Sequence, residues 1–279
     1  MTADEVPPGV DVEKPSAARV YDWYLGGSQN WAVDREFGRR AERVWPLIRP
    51  ISRQNRAFMN RVVRAALEAG IRQFVDLGSG VPTAGNVHEI VRDRWTAPDR
   101  RPAVVYVDYE AVAAAHSTLI LEREGATDWA GLVRRDIREP EAVFADETTR
   151  RLIDWSQPVC LLMITVLHFI GPADEPDALM AAYREKLAPG SWLAVTHGTC
   201  TEDAPPERAA GVRRFVDAYR DTSNPAYLRS AEEIRPWFGG WPLLEPGMTA
   251  LPDWRPSSPV SPLEAETRPF AWCAVARRP

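Results

Sequence analysis

The chain has 279 residues, 45% hydrophobic and 26% charged, enough to bury the core of one large domain. Its formal net charge of -5 argues against a general affinity for nucleic acid. Three separated cysteines (Cys160, Cys200, Cys273) give neither a disulfide framework nor metal-ligand spacing, and no apolar run approaches the roughly 18 residues of a membrane span.

The first 14 residues, MTADEVPPGVDVEK, are polar and proline-bearing and lack the basic and apolar stretches of a secretory signal. They are expected to form a disordered tail on a cytoplasmic protein. Residues 15–70 read as a helical cap. Within it, SAARVYDWYLGGSQNWAVDREFGRRAERVW splits into two helical pieces at Gly26 and Gly27. SRQNRAFMNRVVRAALEAG follows as a longer helix, with Ser52 as N-cap, Phe58, Val62, Ala66 and Ala69 on one face, and Gly70 just past its end.

From residue 71 to 279 short apolar runs alternate with longer amphipathic ones. RQFVDL (72–77), AVVYVD (103–108), GLVRRD (131–136), VCLLMITVL (159–167) and SWLAVTH (191–197) read as strands with helices between them. That alternation predicts an α/β fold, a doubly wound and mostly parallel sheet covered on both faces. Near the end, WPLLEPGMTAL and FAWCAVARR are joined by a proline-rich loop and predict a C-terminal antiparallel hairpin at the sheet edge.

The bend after the first strand, FVDLGSGVPTAGNVHE, has Gly78 and Gly80 where a dinucleotide fingerprint needs its first two glycines, but Thr83 stands at the third. Asn86 and Glu89 have the spacing of a capping pair and place the next helix start near residue 86. A nicotinamide oxidoreductase is therefore disfavoured. Asp76, Asp108 and Asp136 lie at the same ends of three successive strands, so their carboxylates converge on the crevice where open α/β sheets bind ligands. At such places an aspartate can accept from both hydroxyls of a ribose, as proposed for Asp108, or reach an adenine edge, as for Asp136. Taken singly, each would read as a solvated strand end or a cap.

The segments SAARVYDWYLGG, NRAFMNRVVRAALEAGIRQFVDLGSGVPTAGNVHE, VVYVD, VLHF and LAPGSWLAV resemble class I S-adenosylmethionine-dependent methyltransferases, and within them an actinobacterial group catalogued mainly as a domain of unknown function. The resemblance implies a Rossmann-like sheet of seven strands with the last antiparallel, and S-adenosylmethionine as cofactor. It implies that Asp76, Gly78, Ser79 and Gly80 sit against the cofactor's methionine half, that Asp108 binds the ribose, and that Asp136 with Ile137 borders the adenine. The group more often carries an asparagine-aspartate-proline run where this chain has VDYE, so Tyr109 is expected to stack on adenine or ribose. Related enzymes place an arginine before the first strand, which makes Arg56 the candidate partner of the cofactor carboxylate, with Arg53 on the same helix as its competitor. The N-terminal segment is expected to close over the cofactor as a lid lined by Tyr21, Tyr24, Gly26, Gly27 and Asn30. The alternative is that the tyrosines anchor a helix and the glycines only turn the chain.

Methyl transfer from a sulfonium needs a general base only if the acceptor must lose a proton. His168 and His197 follow the fourth and fifth strands, and His168 is the preferred base. His88 and His116 fall on predicted helices and read as packing or surface residues. The expected activity is methyl transfer to a small-molecule acceptor, with no nucleic-acid or membrane partner. A non-catalytic S-adenosylmethionine-binding regulator is the alternative. A nucleic-acid methyltransferase is opposed by the acidic balance and by ITVLHF, which stands where such enzymes carry an NPPY-like run.

Overall fold

The computed structural model describes residues 13–82, 85–95, 102–220, 222 and 224–279. Most of the expected tail, and Thr83, lie outside the described residues. Three helices come first: α1 (Ala17–Leu25), α2 (Ala32–Val44) and α3 (Ile48–Glu68). Ser16 caps α1 by accepting from the Arg19 N–H. Gly26, at φ +84°, closes α1 in the left-handed region that glycine enters without strain. One buried carboxylate then clamps α1 to α2. Asp34 accepts from Ser16 N (3.0 Å), Arg19 Nε (2.8 Å) and Trp31 N (2.9 Å). The third helix begins one turn earlier than the sequence suggested. Ser52 is not its cap; its hydroxyl donates to Ile48 O inside the helix (2.8 Å). Pro50 is tolerated there because first-turn N–H groups have no helical partner to lose.

The sheet contains β1 (Gln73–Leu77), β2 (Ala103–Val107), β3 (Ala130–Val133), β4 (Val159–Met163), β5 (Trp192–Gly198), β6 (Thr249–Ala250) and β7 (Ala271–Arg277). Their order is β3-β2-β1-β4-β5-β7-β6. The first five run parallel, and β7 lies antiparallel between β5 and β6 as the expected C-terminal hairpin. The order reverses between β1 and β4, so a crevice opens beyond their carboxyl ends. Between the strands lie α4 (Val87–Arg94), α5 (Ala111–Arg123), α6 (Pro140–Ala145), α7 (Glu147–Leu152), α8 (Pro176–Lys186), α9 (Pro206–Ala218), α10 (Ala231–Ile234) and α11 (Pro262–Ala265). None of the described helices is long and apolar enough to cross a membrane.

Strand alternation divides the core in two. Phe74, Val104, Cys160 and Leu162 face the side where α1, α2, α3 and α9 bury Val20, Phe37, Phe58, Val62 and Phe215. Val75, Leu77, Val105 and Leu161 face the side covered by Val143, Met180, Tyr183 and Trp237. The N-terminal helices thus share a core with one sheet face, each fully buried large side chain contributing about 1.5–3 kcal/mol. The fourth strand is shorter than predicted. It ends at Met163, and the apolar residues that follow leave the sheet through Thr165, a non-glycine residue at φ +56°, into a 3-10 turn at Leu167–Phe169.

Removing the Asp34 carboxylate leaves Arg19 buried without that partner and frees two backbone N–H groups. Asp34→Ala is expected to lose about 3–5 kcal/mol in urea denaturation. A loss below about 1 kcal/mol would show that the clamp is not a major source of stability.

Candidate active site

A cavity of about 370 Å³ opens at the β1/β4 reversal. It is within the size range of small-molecule sites. Twelve of the sequence-nominated residues line it: Tyr21, Arg56, Asp76, Gly78, Ser79, Gly80, Asp108, Tyr109, Asp136, Ile137, His168 and His197.

The glycine bend is held from two sides. Gly78 N (2.8 Å) and Ser79 N (3.1 Å) both donate to Val107 O at the end of β2. A Cβ on Gly78 would stand 2.3 Å from Val166 Cγ2, and its φ is +70°, so both space and backbone conformation demand glycine. Gly80, at φ +67°, has open space where a Cβ would lie. Its N–H donates to Asp108 Oδ2 (2.8 Å), while Asp108 Oδ1 accepts from Glu110 N (2.9 Å). Glu110 accepts in turn from the Ser16 hydroxyl at the start of α1. The helix after the bend begins as expected at Asn86. Its Glu89 takes the Gly85 N–H (2.9 Å) and the Asn86 side chain (2.6 Å) instead of completing a standard capping box.

Burial sets the protonation behaviour of these acids. Desolvation raises the Asp76 carboxyl to about 7, the Arg56 charge opposing and the Asp108 charge adding to that shift. Burial also raises Asp108 and Glu110, against the hydrogen bonds each accepts. Asp136 behaves oppositely: burial would raise it, but hydrogen bonds from Arg138 bring it below the usual carboxylate value. Arg138 grips both oxygens, through Nε at 3.0 Å to each and Nη2 at 2.6 Å to Oδ2. Ile137 offers a buried side chain to the cavity, and its carbonyl accepts from the Tyr183 hydroxyl (2.8 Å). Tyr109 is 42% exposed, its hydroxyl taking the Asn224 amide N–H (2.6 Å).

The two strand-end histidines differ. Arg229 Nη1 donates to His197 Nε2 (3.0 Å), which places the His197 proton on Nδ1, 2.7 Å from Gly198 O. With both nitrogens engaged and its pKa held down to about 3, by burial and the neighbouring His168 and Arg229, His197 has no atom left for a substrate. His168 lies half-buried in the cavity wall, and neither ring nitrogen has a hydrogen-bond partner among the described residues. Burial, then the Arg229 charge, lowers its pKa to about 4. Arg229 also donates to Leu167 O (3.2 Å) and Ile170 O (2.6 Å), fixing the turn that carries His168.

Tyr24, Gly26, Gly27 and Asn30 do not line the cavity. Tyr24 is 1% exposed and packs inward against Trp23. Gly26 ends α1, and a Cβ on Gly27 would stand 1.9 Å from Asp22 Oδ1. Asp22 itself gathers Gln29 N (2.8 Å) and Asn30 Nδ2 (2.7 Å), so these residues shape a turn. Tyr21 does reach the cavity, with its hydroxyl donating to Ser52 O (3.0 Å). His88 is a core residue, its Nδ1 2.6 Å from the Tyr106 hydroxyl. It comes close to Glu89 and Glu124, but Arg92 Nη1 already holds Glu124 at 2.5 Å.

Sequence reasoning did not single out Glu110, Arg138, Arg229 or the cavity rings Trp45, Phe169, Phe215, Tyr219 and Phe270. Phe215 and Tyr219, spaced i, i+4, announced one face of a helix but not what that face meets. The residues around the bend fit S-adenosylmethionine: Gly80 leaves open space at the bend, and the buried Ser79 hydroxyl has no partner among the described residues. Asp108 keeps lone pairs for ribose hydroxyls beyond the two N–H groups it accepts.

No curated protein matches the chain. Among solved structures, a candidate methyltransferase from Thermobifida fusca YX is 33% identical, with a TM-score of 0.85 over 98% of each chain. A DUF574 family protein from Streptomyces avermitilis MA-4680 is 32% identical, with a TM-score of 0.85 over 96% of this chain and 99% of that one. Residues 3–279 match the S-adenosyl methyltransferase family, and the chain belongs to that family of S-adenosylmethionine-dependent enzymes.

Proposed function

We propose that the acceptor is a small molecule, bound in the same cavity as the cofactor. The observation that carries this reading is the continuity of that cavity. The turn at 165–169 touches the glycine bend through Val166 and reaches the ring-lined part through His168 and Phe169. A cavity of about 370 Å³ is of the size that takes small molecules, and the net charge of -5 opposes a phosphate backbone.

In this reading Asp108 accepts from the ribose hydroxyls, Ile137 and Asp136 border the adenine, and Tyr109 stacks at the rim. The bend from Gly78 to Gly80 runs along the methionine half. Arg56 takes the carboxylate and Asp76 the ammonium of that half. When bound, the cofactor supplies a methyl group already activated on a sulfonium. The chain's residues align the acceptor with it, exclude water and offer His168 as acceptor of a proton. The N-terminal helices and the sheet act as one unit, since Arg56 lines the site and Ser16 donates to Glu110 of its wall.

Asp108→Ala should weaken S-adenosylhomocysteine binding at least about tenfold by titration calorimetry. Unchanged affinity in a folded variant would remove Asp108 from the site.

Asp76 gives a pH signature. An unfolded aspartate titrates near about 4, whereas the folded carboxyl is raised to about 7. Between those values the native state holds the extra proton, so this group's contribution to stability falls as pH rises through the window. An ammonium ligand favours the charged form, so ligand affinity should instead rise with pH through about 7. Asp76→Asn should flatten both trends, measured by urea denaturation and calorimetry across pH 5–8; persistence of the affinity trend would place the ammonium elsewhere.

His168→Asn should lower turnover roughly 10²–10⁴-fold with cofactor affinity retained. Because the imidazole is held near 4, wild-type turnover should owe no rise to this group between pH 6 and 8. A parallel loss of cofactor affinity would make His168 a structural residue.

A further inference from the structure

Beyond His168 the cavity becomes a chamber of rings. His168 and Phe169 lie 4.1 Å apart between centroids, Phe169 and Tyr219 6.0 Å, Tyr219 and Phe215 5.1 Å, Phe215 and Trp45 5.1 Å, and Trp45 and Phe270 5.6 Å. All six line the same cavity, and Ile48, Ile51 and Val212 fill the gaps between them. The rings come from the turn after β4, the end of α2, one face of α9 and the start of β7. They meet edge-on or tilted, in geometries that aromatic groups favour.

The charged side chains of the cavity wall come from elsewhere. They are Arg56 of α3, Asp76 of β1, and residues of the loops after β2, β3 and β4. Several polar groups near the rings are committed within the protein, while Trp45 Nε1 and Asn55 Oδ1 have no partner among the described residues. The Tyr21 hydroxyl donates to Ser52 O, the Ser52 hydroxyl to Ile48 O, the Asn55 amide to Ile51 O, and Thr196 Oγ1 accepts from Thr165 N. His197 uses both nitrogens. The His168 imidazole is left at the boundary between the charged part and the rings.

A ring cage can also hold a cation. Two features oppose that here. Among the described residues no carboxylate belongs to the chamber, and the Arg229 guanidinium stands behind the histidine pair, whose rings are 6.2 Å apart. A positive ligand would lose its hydration and meet that charge. An aliphatic ligand would fill the space but forgo stacking on the rings that face it.

Resting on the methyl-transfer reading above, we propose that the acceptor is an uncharged planar aromatic molecule bearing a hydroxyl, with its ring among Phe169, Tyr219 and Phe215 and its hydroxyl directed at His168. The acceptor oxygen donates a lone pair to the methyl carbon. The carbon–sulfur bond pair remains on sulfur, which becomes a neutral thioether. The hydroxyl proton passes to an imidazole nitrogen of His168 and then to water. A neutral imidazole is the form that can take it, and the depressed pKa keeps His168 in that form at neutral pH.

Calorimetry on the full chain saturated with S-adenosylhomocysteine tests the acceptor class, with 2-naphthol, decahydro-2-naphthol and benzyltrimethylammonium as probes. The expected order puts 2-naphthol first, about tenfold tighter than its saturated counterpart. Phe215→Leu should weaken 2-naphthol roughly threefold to tenfold and leave S-adenosylhomocysteine affinity unchanged, which also shows that the variant is folded. Equal binding of the saturated alcohol, tighter binding of the cation, or no binding of 2-naphthol to the loaded protein would each overturn the acceptor class alone. Failure of S-adenosylhomocysteine itself to bind would overturn the cofactor-site reading beneath it.

Discussion

The buried carboxylate of Asp108 holds the site together. One oxygen takes the N–H of Gly80 and the other that of Glu110, so a single side chain at the end of β2 ties the bend after β1 to the start of α5. Glu110 carries the tie onward to Ser16, which caps α1. Hydrogen bonds to a charged acceptor contribute about 1.5–3 kcal/mol each, enough to offset much of the desolvation this carboxylate suffers. Without it the bend would lose its tie to the start of α5, where Glu110 meets the first helix.

Around this tie the cavity separates into two environments. On one side, carboxylates at the ends of successive strands crowd together, and burial with mutual repulsion raises the pKa of Asp76 and Asp108. On the other, rings surround a histidine pair whose basicity is suppressed by burial and by Arg229. Both are effects of low dielectric, acting on opposite charge types. Val166 stands at the seam, pressed against Gly78, and its position depends on Thr165 adopting a left-handed conformation that a β-branched residue rarely enters. Strain of this kind persists only where neighbours over-determine it, and Thr196 Oγ1 accepting the Thr165 N–H is one such neighbour.

Much of this was legible in the sequence because it is local. The alternation of strands and helices, the glycines at 78 and 80 and the aspartates at strand ends each follow from spacing along a few residues. The errors arose where tertiary context decides. VCLLMITVL reads as one apolar strand, yet only its first part stays in the sheet; the remainder is apolar because it packs under the glycine bend. Ser52 has the chemistry of a cap, but Pro50 sits comfortably in a first turn that begins at Ile48. Gly26 and Gly27 carry the signature of a close approach, but only Gly27 meets one, from Asp22 of its own turn, while Gly26 closes the helix in the left-handed region. The ring chamber was not legible, since apart from the i, i+4 pair Phe215 and Tyr219 its rings share no local pattern, and Trp45, Phe169 and Phe270 join that pair only when α2 and α9 close on the sheet.

The segment from Asn224 to Arg229 touches both halves of the cavity. At one end Asn224 donates to the Tyr109 hydroxyl beside the strand-end acids; at the other Arg229 fixes the turn beneath His168. The backbone between Asn224 and Arg229 therefore serves both regions at once, and a change in its course moves the Tyr109 contact and the turn beneath His168 together.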